Sequence, residues 1–234
     1  MKIGDYMKIM DLHSHTYFSN CGRDEPETII DAAAEGGIEL FGITDHNYGI
    51  NEREVEYSRL INSMKEPYAD RIKLLCGIEI ATLPDYYNMK EEEYKLFDFC
   101  LIENVGWEGT ITKDCFFEFM EKIPIKKGIA HTDLFAYAET IGMTPFDFFK
   151  KMADSGIFWE MNVSYDSIHN YREHPYMLEF FEDPKKQDII RDAKVVISVG
   201  FDGHRVEDYL PPRIKEYCLK LGEMKLKTAD ELFK

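Results

Sequence analysis

Short apolar runs alternate along this chain with segments that carry a helical pattern. The apolar runs are the length of buried strands and are bounded by turn residues. We expect seven strands, in a first run that ends at His13 and in residues 38–44, 72–79, 96–102, 128–131, 157–161 and 195–200. Helices are predicted between them, at residues 26–35, 52–65, 112–123, 144–155, 184–192 and 206–221, with long loops at 82–94 and 164–183.

This alternation of strand and helix is typical of an α/β protein with a parallel sheet. Seven or eight such units close most economically into a TIM-like barrel, in which reactive groups lie at the carboxyl ends of the strands. A doubly wound open sheet ranks second, because no glycine-rich fingerprint follows the first strand. No Pro/Gly/Ser-rich linker divides the chain, so residues 1–234 are expected to form a single domain.

Five of the expected strands finish on histidine or acidic residues. Two of them carry a pair with i, i+2 spacing, which projects both side chains from one face of an extended strand. Imidazole and carboxylate groups gathered at one end of a sheet are typical ligands of divalent metal ions. The residues are His13 and His15, Asp45 and His46, Glu79, His131, and Asp202 and His204.

Composition narrows the classes of partner. A formal net charge of -16 argues against extended contact with nucleic acid, which draws on cationic phosphate contacts. No apolar run approaches the length needed to cross a bilayer, and no signal peptide is evident. We therefore expect a soluble, cytoplasmic protein without membrane contact. The five cysteines are odd in number and lack the spacing of a zinc ribbon, so neither a disulfide framework nor a zinc ribbon is predicted. The sequence predicts no particular oligomeric state.

The order of these motifs resembles that of PHP (polymerase and histidinol phosphatase) domains. The resemblance rests on Asp-Leu-His-Ser-His-Thr at 11–16, Ser19, Pro26, and Ile-Thr-Asp-His at 43–46. It continues through Gly-Ile-Glu at 77–79, Ala-His at 130–131, Glu-Met-Asn at 160–162 and Gly-Phe-Asp-Gly-His at 200–204. The resemblance implies a distorted TIM-like (β/α)7 barrel that binds two or three divalent ions, with zinc, manganese or iron as candidates.

The resemblance also implies a ligand set for each ion. One ion would be held by His13, His15, Glu79 and Asp202. A second would share Glu79 with His131 and a histidine after the fourth strand, where this chain has Glu103 and Asn104. A third would use His46, His204 and a further histidine, for which this chain offers Cys21 or Asp24, with Asp24 narrowly preferred.

Further roles follow for residues near these ligands. Asp11 and Asp45 are expected to orient ligating histidines, and either His204 or Asp45 would assist proton transfer. Arg172 and Arg205 occupy places that resemble phosphate-clamping arginines. Glu160 and Asn162 are expected near the site or as ties of the barrel rim.

The expected function is hydrolysis of a small phosphomonoester by metal-activated water, with histidinol phosphate as the example that the resemblance suggests. The substrate is therefore a small phosphorylated molecule. One alternative is a phosphodiesterase or a nuclease of short oligonucleotides. Another is a barrel that binds metal without catalysis.

Overall fold

The structure, a computed structural model, describes residues 7–234, so the first six residues of the expected domain lie outside the described part. Eight parallel strands form one sheet in sequence order. They are β1 Met10–Asp11, β2 Leu40–Ile43, β3 Lys73–Ala81, β4 Phe99–Glu103, β5 Lys126–Ile129, β6 Ile157–Asn162, β7 Val196–Gly200 and β8 Lys227–Thr228.

The sheet curls until its first strand reaches its seventh. Leu12 N donates to Val199 O at 2.9 Å, and Asp202 N donates to His13 O at 2.7 Å. This seam closes the distorted TIM-like barrel and confirms the expected fold class. Sequence analysis missed the eighth strand, which is two residues long and pairs only with the start of β7.

Helices cover the outside of the barrel. They are α1 Pro26–Glu35, α2 Asn47–Ile50, α3 Glu54–Met64, α4 Phe116–Glu121, α5 Leu134–Thr140, α6 Pro145–Asp154, α7 Pro175–Glu182, α8 Pro184–Ala193 and α9 Pro211–Glu223. Three 3₁₀ turns occupy Glu91–Leu96, Val206–Asp208 and Ala229–Phe233. No helix within the described residues is long and apolar enough to cross a membrane.

Local sequence explains where these helices begin and end. Pro26 suits the first turn of α1, and Gly37, with a φ of +75°, lets the chain leave it. The side chain of Thr144 caps α6 by accepting from Asp147 N. Helix α4 is shorter than predicted, α7 falls in the segment 164–183 that was expected to be a loop, and α5 falls in a segment for which no element was predicted.

Aromatic side chains fill the barrel interior below the carboxyl ends of the strands. Phe99 is fully buried, and a Cβ atom on Gly42 or Gly77 would lie only 2.7 or 2.6 Å from its ring. These glycines therefore leave the room that Phe99 occupies. Phe233 packs edge-on against Phe99 with ring centroids 5.5 Å apart, which closes the amino-terminal end of the barrel.

Candidate metal centre

All seven histidines of the chain gather at the carboxyl end of the barrel. Each ring has at least one histidine neighbour, with centroids 4.5 to 6.2 Å apart. The cluster consists of His13, His15, His46, His131, His169, His174 and His204. Such a concentration of imidazoles is expected at a metal centre rather than in a structural core.

Four donor atoms define a first site. Nε2 of His13 lies 3.1 Å from Nε2 of His15, and these two nitrogens lie 3.3 and 3.4 Å from Oε2 of Glu79. The same nitrogens lie 3.4 and 3.0 Å from Oδ1 of Asp202. Tetrahedral ligands at usual zinc distances are separated by roughly 3.3 Å. The spacings among His13, His15 and Asp202 therefore suit one ion, and Glu79 lies close to both histidine nitrogens.

Hydrogen bonds on the far side of the rings point both Nε2 atoms into this site. Nδ1 of His13 lies 2.7 Å from a carboxylate oxygen of Glu160, which assigns the proton to Nδ1. Nδ1 of His15 lies 3.2 Å from Oγ of Ser19, and that hydroxyl donates to Asp45 at 2.6 Å. Glu160 and Asp45 thus orient the two histidines, Asp45 through a serine.

The carboxylate of Glu79 joins the first site to its neighbours. Its Oε1 lies 3.0 Å from Nε2 of His131, and its Oε2 lies 2.9 Å from Nδ1 of His46. That nitrogen also lies 3.2 Å from the carboxylate of Glu103. Glu103 rather than Asn104 therefore joins the donor groups, in the region where the expected histidine is absent.

A second cluster of donors contains sulfur. Single ligand atoms of His15, Cys21, His46 and His204 all lie within 4.8 Å of one another. Asp24, the narrowly preferred replacement ligand, is not part of this group. Its carboxylate instead accepts from Val206 N at 2.7 Å, which ties its loop to the turn after His204.

Burial and neighbouring charges set the protonation of the metal-free cluster. Burial disfavours charge on His131 and His204, but Glu79 outweighs it at His131 and Asp202 outweighs it at His204, so both pKa values are raised to about 9. For His15, burial together with the nearby His204 and His46 lowers the pKa to about 3. Burial would raise the pKa of the Cys21 thiol, yet hydrogen bonds with His204 and His46 lower it to about 7.

Unpartnered polar atoms show that the donor set fits a cation. Among the described residues, Nδ1 of His46, Oε2 of Glu79, Oδ2 of Asp166 and Nδ1 of His204 are buried and make no hydrogen bond of normal geometry, although the His46 and Glu79 atoms lie 2.9 Å apart. Buried polar groups are nearly always satisfied, so unpaired donor atoms at one centre call for a ligand. Imidazoles and carboxylates suit divalent ions, and the cluster can therefore hold them.

Residues 11–185 match the profile of the PHP domain. The chain belongs to the PHP domain family. The match confirms the resemblance drawn from the sequence, and it identifies the chain as a metal-dependent hydrolase of phosphate esters. A search of curated proteins gave no match for the chain.

Solved structures share the fold of this PHP domain. One is a histidinol phosphate phosphatase from Lactococcus lactis, complexed with zinc, L-histidinol and phosphate, with 19% identity, 95% coverage of each chain and a TM-score of 0.58. Another is a putative histidinol phosphatase from Listeria monocytogenes, with 14% identity and a TM-score of 0.56. It covers 85% of this chain and 96% of its own.

The remaining predicted residues of this PHP domain differ in burial and in their contacts. Arg205 is half-buried, donates to Oγ of Ser167 at 3.3 Å and has a buried Nε without a partner among the described residues. Arg172 is exposed, and its backbone N donates to His169 O. Asp11 accepts from the backbone of His13 and not from its ring, so its orienting role differs from the one expected.

Neither Asp166 nor His169 is among the site residues predicted from the sequence. Oδ1 of Asp166 lies 2.7 Å from Nδ1 of His169, whose Nε2 lies 3.1 Å from Oδ2 of Asp202. Single ligand atoms of Asp166, His169 and His204 also form a compact group. The i, i+3 spacing of Asp166 and His169 in a histidine-rich loop was the available signal.

Proposed function

We propose that this PHP domain hydrolyses a small phosphomonoester, of which histidinol phosphate is the leading example. The observation that carries the proposal is the close spacing of ligand atoms of His13, His15 and Asp202, with Glu79 beside both histidine nitrogens. The unpartnered atoms around this set support further ions, for a total of two or three. The histidinol phosphate phosphatase with the same fold supports the choice of substrate.

The donor types favour zinc at the first site, with manganese and iron as alternatives. The candidates for the second ion are His131, which approaches Glu79, and Glu103, which approaches His46. The chemistry that bound divalent ions supply is a lower pKa for the attacking water and neutralisation of the phosphoryl oxygens.

The chain's own residues divide the remaining work. Asp45 is unsuited to proton transfer because its two oxygens accept from Thr16 and Ser19, so we assign it to holding Ser19 against His15. His204 keeps both of its predicted roles. Its Nε2 lies 3.7 Å from Oδ1 of Asp202, and its Nδ1 lies 3.8 Å from Oδ2 of Asp166.

Positive charge for the substrate is scarce at this end of the barrel. Arg205 is the better placed of the two predicted arginines, because it is half-buried and follows Gly203 by two residues. Its Nε has no hydrogen-bond partner in the described structure. A planar guanidinium there suits two oxygens of one phosphate group. The net charge of -16 opposes a long polyanion, so a small substrate fits better than nucleic acid.

A metal analysis paired with a substrate screen tests the proposal. Protein loaded with zinc, manganese or iron is assayed against histidinol phosphate, p-nitrophenyl phosphate, bis-p-nitrophenyl phosphate and a short oligonucleotide. We expect bound metal and hydrolysis of the two monoesters. Hydrolysis of the diesters alone would instead identify a phosphodiesterase, and bound metal that raises thermal stability without any hydrolysis would identify a non-catalytic barrel.

A pair of arginine variants sharpens the test. Arg205→Gln is expected to raise KM for the monoester by about tenfold or more, because a charge-assisted contact to phosphate is lost. Arg71→Gln is the matched control, since Arg71 pairs with Asp31 on the exposed surface. Equal kinetics in the two variants would remove Arg205 from the substrate site.

A further inference from the structure

The loop between β1 and α1 carries a cysteine into the metal centre. A ligand atom of Cys21 lies within 4.8 Å of ring nitrogens of His15, His46 and His204. Cys21 is half-buried, whereas Cys76, Cys100 and Cys218 are buried in the hydrophobic core. The position of Cys21 among three imidazoles separates it from the other thiols of the chain.

Backbone contacts fix Cys21 in this position. A Cβ atom on Gly22 would lie 2.2 Å from the carbonyl oxygen of Thr16, so only glycine allows the loop to fold this tightly. Arg23 N donates to the backbone carbonyl of His204 at 3.2 Å, which ties the loop to the segment that carries one of the imidazoles. Gly49, in the helix that follows His46, packs closely against Ser19 of the same loop.

An independent observation points to a ligand at this place. Nδ1 of His204 is buried without a hydrogen-bond partner in the described part of the chain, 3.8 Å from Asp166, and His204 is only 4% exposed. Nε2 of His15 belongs to the first site, 3.0 Å from Asp202. Cys21, His46 and His204 therefore remain as a separate set of one sulfur and two nitrogen donors.

We propose that Cys21, as a thiolate, binds a metal ion together with His46 and His204, in the place where other PHP domains use a third histidine. The inference rests on the proposed function, because it assigns a ligand within the same metal centre. The thiol proton leaves to solvent as the sulfur–metal bond forms. A sulfur ligand favours zinc or cobalt over manganese and magnesium, so this chain's third ion is selected more narrowly.

Cobalt loading tests the sulfur ligand directly, because a thiolate bound to Co²⁺ gives a charge-transfer band in the near ultraviolet that imidazole and carboxylate ligands do not give. Metal-free protein is titrated with Co²⁺ and compared with three variants. Cys21→Ser removes the sulfur, Cys115→Ser removes the other half-buried thiol, and Cys21→His restores the histidine pattern. Monoester hydrolysis is measured on the same samples.

We expect the band in the unchanged protein and in Cys115→Ser, and its loss in both Cys21 variants. Cys21→Ser should also bind about one equivalent of Zn²⁺ less, whereas Cys21→His should retain that ion and tolerate manganese better. A band that survives Cys21→Ser would overturn the proposal. So would cobalt-loaded, hydrolytically active protein without the band, an outcome that leaves the proposed function intact.

Discussion

The two ends of the barrel are buried alike but are opposite in chemistry. At the carboxyl end, His13, His15 and Glu79 are fully buried among other titratable groups, and several of their neighbours lack partners in the described structure. At the amino end, Phe99 and Phe233 complete their surroundings by packing alone. The chain's own side chains therefore close the amino end, whereas the carboxyl end presents donor groups that suit cations.

The largest effect is expected from removing a ligand. His13→Ala should lower the affinity of the first site for metal by more than about 100-fold and abolish hydrolysis. The site loses a ligand, and the carboxylates of Glu79 and Asp202 are left without a cation. Metal analysis and circular dichroism check this together. His174→Ala is the matched control, since His174 belongs to none of the donor groups described above; equal losses in both variants would contradict the assignment.

The opposite end should respond in the opposite way. Phe99→Ala removes the ring that fills the barrel interior and is expected to cost about 3–5 kcal/mol of unfolding free energy. Denaturant unfolding measures that loss, and metal content should stay unchanged in the protein that remains folded. If Phe99→Ala released the metal without loss of stability, the separation between the two ends would fail.

The support of a ligand should matter less than the ligand itself. Glu160→Gln keeps the shape of the side chain but weakens its contacts with Nδ1 of His13 and with the backbone N of His131. We expect metal affinity to fall by about 10- to 100-fold, measured by competition with a chromogenic chelator. Glu182→Gln, at the exposed end of α7, serves as a control that should bind metal normally.

Protons compete with metal for the same nitrogens. In the metal-free protein the pKa values of His131 and His204 are raised to about 9, so both rings are protonated at pH 7. Metal binding must displace these protons, and apparent affinity should rise about tenfold per pH unit for each displaced proton until the pH passes about 9. Calorimetry in buffers of different ionisation enthalpy counts the protons released; a flat pH profile would contradict this reading.

The smallest effect is expected at Asp24. Asp24→Ala removes the acceptor of Val206 N and should cost about 1 kcal/mol of stability, the usual worth of one hydrogen bond. Metal stoichiometry and the cobalt spectrum should not change, in contrast to Cys21→Ser. Loss of an ion from Asp24→Ala would restore the original preference for Asp24 as a ligand.

Sequence patterns predicted the features that depend on neighbours along the chain. Pro26 and Gly36-Gly37 predicted the bounds of α1 as the structure has them, and strand ends predicted that His13, Glu79 and Asp202 would meet. The family match confirms the resemblance that these residues carry. The ligand assignments stay predictions until metal binding is measured.

Features that depend on the path of a loop were harder to predict. Cys21 and Asp24 lie three residues apart, yet the fold of their loop places Cys21 among the imidazoles and Asp24 against the backbone N of Val206. Asp166 and His169 meet Asp202 through a folded loop that has no regular period. Helix α5 is capped by Asp133, which accepts from the backbone N of Phe135 and Ala136, but so short a helix gives a weak apolar pattern in the sequence.

The seam between β1 and β7 determines how a bound ion would affect the stability of the barrel. His15 and Asp202 stand 187 residues apart in the chain, yet both face the first site. An ion held by both acts as a cross-link between the first and last parts of the barrel, much as a disulfide constrains distant segments. An ion that binds the folded chain more tightly than the unfolded one would stabilise the closed barrel by mass action.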